Sequence, residues 1–451
     1  MLEKTKASVF DARGGNVNEE IKQYPIAKLK LLSTIGSGGK KVYNRCTENV
    51  LRILNAHPDL KDRFRFDKWT QKMEIKKGNR WFDLTDEDYV PIQCAISAMY
   101  AQFRLLSKPM TIDAVNEACQ ANSYDSAIDY VRGIEWDGFG RIDSWLEKAY
   151  GCQQTEYHKA VGANFFKGIV KRIIQPGCKF DTVMIVEGKQ GCGKSTSLSI
   201  IAGKWYLETT ASADSKDFFT QFKGKLLIEF SEGEILSRSD TKKMKAIIST
   251  AVDTYRVSYG RIDKDYPRRC VFTMTTNQEN YLKDETGNRR FLPVVVENEM
   301  VDLDWIKRNR DQMFAEALNR VEILEESVHE YPREEAEKLQ KEKMEENPFH
   351  TRVQEWSENP KKYGVEFDAE NAGITVSDVW EYALGGNISR LGKAESAKII
   401  MALKNLGYES KKLQISGIRK WRWFKCPSED GHLDSLDTPL DTPKNGLGTL
   451  I

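Results

Sequence analysis

Long apolar runs are missing from this sequence. No stretch approaches the ~18 consecutive apolar residues that a membrane span needs, and the opening residues, MLEKTKASVFDARGG, lack the apolar centre of a signal peptide. A soluble, cytoplasmic protein with no membrane partner is expected. An excess of charge of either sign is missing too: 68 Lys plus Arg stand against 67 Asp plus Glu, for a net charge of +1. That balance excludes a chain that coats nucleic acid or a membrane surface along its whole length, so any basic surface must be local. Histidine is scarce at 5 residues, and the eight cysteines (Cys46, Cys94, Cys119, Cys152, Cys178, Cys192, Cys270 and Cys426) contain no CxxC pair. A zinc site therefore lacks its usual ligand spacing, and the cysteines read as reduced, buried thiols.

What is present divides along the chain. At 451 residues, about three domains of ~150 residues each are expected. Residues 1–41 are polar and end in STIGSGGKK, which reads as a flexible arm. Residues 42–150 alternate short helices and strands, including an aromatic-rich stretch from Phe64 to Trp81, and suit a small α+β accessory domain. From 151 to 326 apolar strands alternate with helices, the pattern of a mostly parallel sheet covered on both faces. Residues 327–351 are dense in Glu and Lys at helical spacing, as in a solvated linker helix. Residues 352–426 give two helices and a strand pair around IRKWRWFK, an order like that of a winged helix. Residues 427–451 contain LDTPLDTP and read as a disordered tail.

The most specific motif lies in the third segment. Gly188-Lys-Gln-Gly191-Cys192-Gly193-Lys194-Ser195 matches G-x-x-x-x-G-K-[ST], follows the apolar run Val183–Val186 and precedes a helical run. Its glycines let backbone N–H groups turn inward around phosphates at a helix N-terminus. Lys194 is then placed to reach the β- and γ-phosphates and Ser195 to ligate Mg²⁺. Gly188, Gly191, Cys192, Gly193, Lys194, Ser195 and Thr196 are accordingly the expected nucleotide-binding residues; the plainer alternative is a structural glycine turn.

Three further features follow in order. The strand Lys225-Leu-Leu-Ile-Glu229-Phe-Ser-Glu232 ends in carboxylates that suit holding Mg²⁺ and orienting a water. Glu229 is the favoured residue, and Glu232 shares the role or contacts a neighbouring subunit. A third apolar strand from Cys270 ends in Thr276-Asn277, whose amide suits a γ-phosphate sensor or merely caps a turn. Arg289 and Arg290 then precede an apolar strand, and one of them suits an arginine finger supplied to a neighbouring subunit. Between acid and sensor, basic residues interleave with tyrosines. Tyr259, Arg261 and Lys264 read as a hairpin tip fit for phosphate contact and base stacking on a single strand, with a solvated hairpin as the alternative. Near the C-terminus, Trp421 and Trp423 with Arg419, Lys420, Arg422 and Lys425 fit a DNA-contacting wing or an amphipathic edge strand equally.

These residues together resemble a known family. The phrases DYVRGIEWDG, GKQGCGKST, IEFSE, TTNQENYLKDETGNRRF and RNRDQMFAEAL occur in the order seen in the virulence-associated protein E group of phage and prophage proteins, whose core resembles a superfamily 3 helicase. The resemblance spans roughly residues 44–326. It implies an AAA+-like P-loop NTPase fold, ATP and Mg²⁺ as cofactors, and a ring, commonly of six subunits, in the cytoplasm of a bacterial host. It also implies single-stranded or forked DNA as partner, together with a phage or host primase or polymerase. Lys194 and Ser195 would take the Walker A role, Glu229 and Glu232 the Walker B role, Asn277 the sensor, Arg289 or Arg290 the finger, and Arg261 and Lys264 the DNA-facing hairpin. The expected activity is ATP hydrolysis coupled to translocation on DNA. An ATP-controlled DNA-binding initiator, or a P-loop ATPase that remodels a protein, is the alternative. The Glu-x-x-Glu spacing departs from paired adjacent acids, and Trp136-Asp137-Gly138 receives no chemistry.

Overall fold

A computed structural model describes residues 24–209, 218–231, 238–256, 263–282, 288–344, 348–358, 373–415 and 418–425. The chain divides into two compact units, Met1–Met344 and Glu345–Ile451. No helix among the described residues is long and apolar enough to cross a membrane.

The first unit begins with a short hairpin of β1 (Ser33–Ile35) and β2 (Lys41–Tyr43). Residues 24–41 therefore do not form the expected flexible arm. A 3-10 turn at Ile26–Leu29 turns Leu29 and Leu31 into a core, and Asn49 ties the hairpin down by donating to the Leu32 and Asn44 carbonyls. That core is shared by α1 (Thr47–Ala56), the sheet strands β3 (Phe64–Asp67) and β4 (Lys72–Lys77), and helices α2 (Tyr89–Met99) and α3 (Lys108–Ala121); β5 (Arg80–Asp83) pairs with β4 and buries no residue. Adding β6 (Ser123–Tyr124) gives a four-stranded sheet in the order β5-β4-β3-β6.

The expected boundary at residue 150 falls too late. Helices α4 (Ser126–Arg132) and α5 (Trp145–Tyr150) contribute Ala127, Val131, Trp145 and Tyr150 to the core of the following region. The cause is local composition: Trp145, Ala149 and Tyr150 form an apolar face that α6 (Glu156–Ile174) covers, with Trp145 edge-on to Phe166.

The central sheet joins β7 (Val183–Glu187), β8 (Tyr206–Thr209), β9 (Leu227–Phe230), β12 (Val271–Thr276) and β13 (Phe291–Val295) in the order β13-β7-β12-β9-β8, and its neighbouring strands pair in parallel. Between them lie α7 (Lys194–Ala202), α8 (Arg238–Ser249) and a hairpin of β10 (Val252–Tyr255) and β11 (Lys264–Pro267). Successive strand residues face opposite sides. In β7, Met184 and Val186 join the cluster containing α6, α7 and α9 (Leu303–Glu322), while Val183 and Ile185 join the cluster containing α8. Burial on both faces is why these strands read as continuous apolar runs. This mixed α/β architecture with a parallel five-stranded sheet fits a P-loop-like core.

The charged stretch expected as a solvated linker is corrected as well. Helix α10 (Arg333–Glu342) buries Ala336 and Gln340, and Gln340 donates to the Phe291 carbonyl on β13 at 2.8 Å. Ala336, Gln340 and the half-buried Leu339 suffice to dock a helix that is otherwise mostly charged.

In the second unit, α11 (His350–Glu358), α12 (Val376–Asp378) running into a π-helical turn at Val379–Ala383, and α13 (Lys393–Asn405) surround Trp356. An antiparallel hairpin follows, β14 (Tyr408–Ile415) with β15 (Ile418–Lys425).

Candidate nucleotide site

The phosphate-loop motif connects the C-terminal end of β7 to the N-terminus of α7, so its N–H groups and the positive end of the helix dipole share one point in space. Gly191 and Gly193 adopt positive φ values of 78° and 99°, which L side chains rarely tolerate. Gly188 is required differently, because an added Cβ would lie 3.1 Å from the Val296 Cβ. Lys194 is buried, and its ammonium donates to the carbonyls of Gly188 and Lys189 at 2.8 and 2.9 Å. Those carbonyls hold the charge over the loop, where a phosphate would compete for it.

Strand periodicity decides what lies opposite. Glu229 and Thr275 belong to the sheet face that α7 covers, since Ile228, Phe230 and Met274 point to the other one. Glu229 is fully buried, and its two oxygens accept three hydroxyl bonds: Ser195 Oγ at 2.5 Å, Thr275 Oγ1 at 2.6 Å and Tyr206 Oη at 2.5 Å. A buried carboxylate without such partners would be costly, so the three hydroxyls hold it in place. Burial, and then its bond to Glu229, pushes the Tyr206 phenol well above its ordinary range. Tyr150 reaches the same helix from α5, with its hydroxyl 2.7 Å from Ser197 Oγ. Beside the loop, Glu187 pairs with Lys343 at 2.7 Å; burial raises its carboxyl above the usual carboxylate value despite that lysine.

Sequence-predicted residues divide between two edges of the sheet. Gly188, Gly191, Cys192, Gly193, Lys194, Ser195, Thr196 and Glu229 lie at the C-terminal edge. Asn277 is exposed directly after β12, next to Thr276, whose carbonyl accepts from the Gly188 N–H at 3.1 Å. Arg289 and Arg290 are at the opposite edge, because they precede β13, whose Phe291 is level with Val183 at the start of β7. Five strand residues separate the two edges, about 15–20 Å. There the arginines share a cleft of about 330 Å³ with Lys179, Arg333, Asp181 and Glu337. Arg290 donates to Ser249 Oγ at 2.9 Å.

Lys264 opens β11 and is exposed, opposite Tyr255, which stacks on Tyr266 at 4.3 Å. The hairpin is anchored by a buried ion pair of Arg268 with Asp253. Glu232, Tyr259 and Arg261 lie outside the described residues.

Tyr206, Thr275 and Tyr150 were not anticipated, because a lone hydroxyl on a strand or helix carries no motif that marks its partner. The segment around Trp136-Asp137-Gly138 is held by polar side chains of α9. Gln312 accepts from the Asp137 N–H and donates to the Glu135 carbonyl, Glu316 accepts from the N–H groups of Arg141 and Ile142, and Asn309 accepts from Arg141. Arg310 of the same helix donates to the Ile201 carbonyl at the end of α7. The phrase RNRDQMFAEAL is thus the surface onto which the upstream phrase docks. The described cysteines are free, as expected, but Cys94 is exposed and Cys46 and Cys178 are only half-buried; Cys426 lies outside the described residues, and burial pushes the Cys152 thiol up to about 12.

Residues 131–348, just under half of the chain, match the model of the virulence-associated protein E-like domain. No curated protein matches. Among solved structures, the chain is similar to the apo structure of the NrS-1 C terminal region (305–718) at 16% identity, covering 80% of this chain and 95% of that one with a TM-score of 0.46. An A form apo structure of the same region matches at 15% identity, over 81% and 96%, with a TM-score of 0.45.

Proposed function

We propose that this chain is an ATP-hydrolysing motor of the superfamily 3 helicase type that acts on DNA during replication of a phage or mobile element. The observation that carries the proposal is the 2.5 Å bond between Ser195 of the phosphate loop and the fully buried Glu229, because it joins a phosphate cradle to a fixed carboxylate. The oxygen donors of these two residues fit Mg²⁺, which, when bound, would neutralise charge developing on the phosphates. Lys194 would leave its loop carbonyls for the β- and γ-phosphates. Glu229 would orient the attacking water, and Asn277 would contact the γ-phosphate. Distance forbids Arg289 and Arg290 from reaching the nucleotide of their own chain, which supports their acting on a neighbour in a ring, with six as the proposed number. Lys264, on a hairpin at that same edge, would face DNA.

The test is ATP hydrolysis with and without single-stranded DNA, in the natural protein and in Lys194→Ala. Stimulation by the strand, abolished in Lys194→Ala, is the expected result. Hydrolysis indifferent to DNA sinks the motor reading and favours the second one, an ATP-controlled DNA-binding initiator. That reading draws on the helix–helix–hairpin order of the second unit, an arrangement compatible with a winged helix.

A further inference from the structure

The sequence leaves open whether the Trp- and Lys-rich hairpin at the end of the second unit is a contact surface or an edge strand. Its register separates the two tryptophans. Trp423 pairs with Ser410 and bridges to Ile374, is 5% exposed and belongs to the core; it is not part of a wing. Trp421, one step further out on the same face, pairs with Lys412 and is 60% exposed. Lys412 Nζ lies 5.8 Å from its ring centroid. The opposite face carries Lys411 and, across from Leu413, Lys420, both exposed. Arg422 is turned away from this surface, donating to the Gly373 carbonyl.

Two explanations compete for such a surface. Lysines on open strand edges deter edge-to-edge association, and that role accounts for the charges. It does not account for a tryptophan held in water beyond the core, since a smaller polar residue would protect the edge better. An exposed indole beside ammonium groups offers a stacking face together with phosphate-binding charge. The sequence of residues 408–425 contains six basic residues, Lys411, Lys412, Arg419, Lys420, Arg422 and Lys425, and one acid, Glu409, in a chain of net charge +1. Charge complementarity therefore points to a polyanion, and the indole to one with unpaired bases.

We propose that Trp421, Lys411, Lys412 and Lys420 of the β14–β15 hairpin form a single-stranded nucleic-acid contact, with Trp421 stacking on a base and the three lysines neutralising phosphates. This contact does not rest on the motor reading, because it needs neither nucleotide nor the sheet edge bearing the phosphate loop. It is tested with the full chain, in the absence of nucleotide, by fluorescence anisotropy of a labelled oligodeoxythymidylate. Trp421→Ala is expected to weaken binding about 5- to 100-fold, with Trp421→Phe restoring most of it. Replacing the three lysines by Ala should make the salt dependence shallower by about two in slope. Photo-crosslinking to an iodouracil-containing strand should place an adduct on the peptide containing Trp421. Because Trp421 is exposed, the melting temperature of the variant should match the natural protein and so exclude unfolding. Unchanged affinity in Trp421→Ala, adducts confined to other peptides, or equal loss of binding to a duplex of the same length would each overturn the proposal. Self-association of the lysine variant with unaltered strand binding would assign the hairpin to edge protection instead.

Discussion

Replacing Glu229 by Gln and by Ala separates its chemistry from its place in the fold. In Glu229→Gln the side chain keeps its shape, and Ser195, Thr275 and Tyr206 keep a polar partner, since hydroxyls both donate and accept. Three bonds to a charged acceptor, worth about 1.5–3 kcal/mol each, become neutral bonds of about 0.5–1.5 kcal/mol. The gross loss of about 3–4 kcal/mol is opposed by no longer burying a carboxylate, which costs several kcal/mol. The net change should stay within about 2 kcal/mol. Glu229→Ala leaves a cavity and three hydroxyls without their acceptor, so about 3–5 kcal/mol should be lost. For a unit of 344 residues, an unfolding entropy of about 2.1 cal/mol/K per residue makes 1 kcal/mol worth about 1.4 °C. Differential scanning calorimetry should then show a shift below about 3 °C for Gln and a fall of about 4–7 °C for Ala. Hydrolysis should drop at least about 100-fold in Glu229→Gln while a fluorescent ATP analogue still binds. A Gln variant that hydrolyses ATP within a few-fold of the natural rate would refute the assignment, leaving Glu229 as a structural anchor for Ser195.

Two further outcomes follow from the geometry. If the arginines act on a neighbour, inactive Lys194→Ala and inactive Arg289→Ala/Arg290→Ala proteins should recover hydrolysis when mixed, because roughly one interface in four pairs an intact loop with an intact arginine; no recovery in ATPase assays of mixed rings would refute action in trans. Asp67 is buried and accepts from the N–H groups of Trp69 and Ser126 and from the hydroxyls of Thr70 and Ser126. Burial alone would raise its carboxyl, but these bonds outweigh it and hold the value below the ordinary 3.8. The resulting stability is present above pH 3.8 and lost as pH falls through the folded value. The melting-temperature gap between natural protein and Asp67→Asn should therefore be full near neutrality and shrink below that pH; a gap independent of pH would refute it.

Some of this architecture is legible in the residues and some is not, for identifiable reasons. The strand–loop–helix around GKQGCGKS is visible because glycine placement and flanking apolar runs are local. The two-faced burial of the sheet is visible because β7, β9 and β12 are apolar apart from Glu187, Glu229 and the three threonines of β12. Docking of α10 is hidden because only Ala336, Leu339 and Gln340 carry it within an otherwise charged helix. The hairpin at 33–43 looks like a linker because Gly38 and Gly39 signal flexibility, while its anchor is the distant side chain of Asn49. Trp421 and Trp423 cannot be told apart by composition, since only the pairing of Trp423 with Ile374 fixes which one enters the core. Tyr206 is invisible because its partnership with Glu229 depends on β8 lying beside β9, a fact of sheet order.

Strand direction alone has a consequence for the whole assembly. In a parallel sheet, whatever follows a strand lies at one edge and whatever precedes it lies at the other. The phosphate loop, Glu229 and Asn277 follow or end their strands; Arg289 and Arg290 precede theirs, and the β10–β11 hairpin leads into β12. Arg289 and Arg290 thus lie away from the proposed nucleotide site of their own chain, where a developing charge on the γ-phosphate would call for a guanidinium. A head-to-tail contact that set one chain's arginine edge against its neighbour's loop edge would supply that group. A heterologous contact of this kind closes only as a ring or runs on as a filament. A ring also turns the same edge of every subunit the same way, so the hairpins carrying Lys264 and the stacked Tyr255 and Tyr266 would line a common path. The proposed hydrolysis and strand contact would then be coupled, because one strand direction assigns the arginines and the hairpin to the same edge.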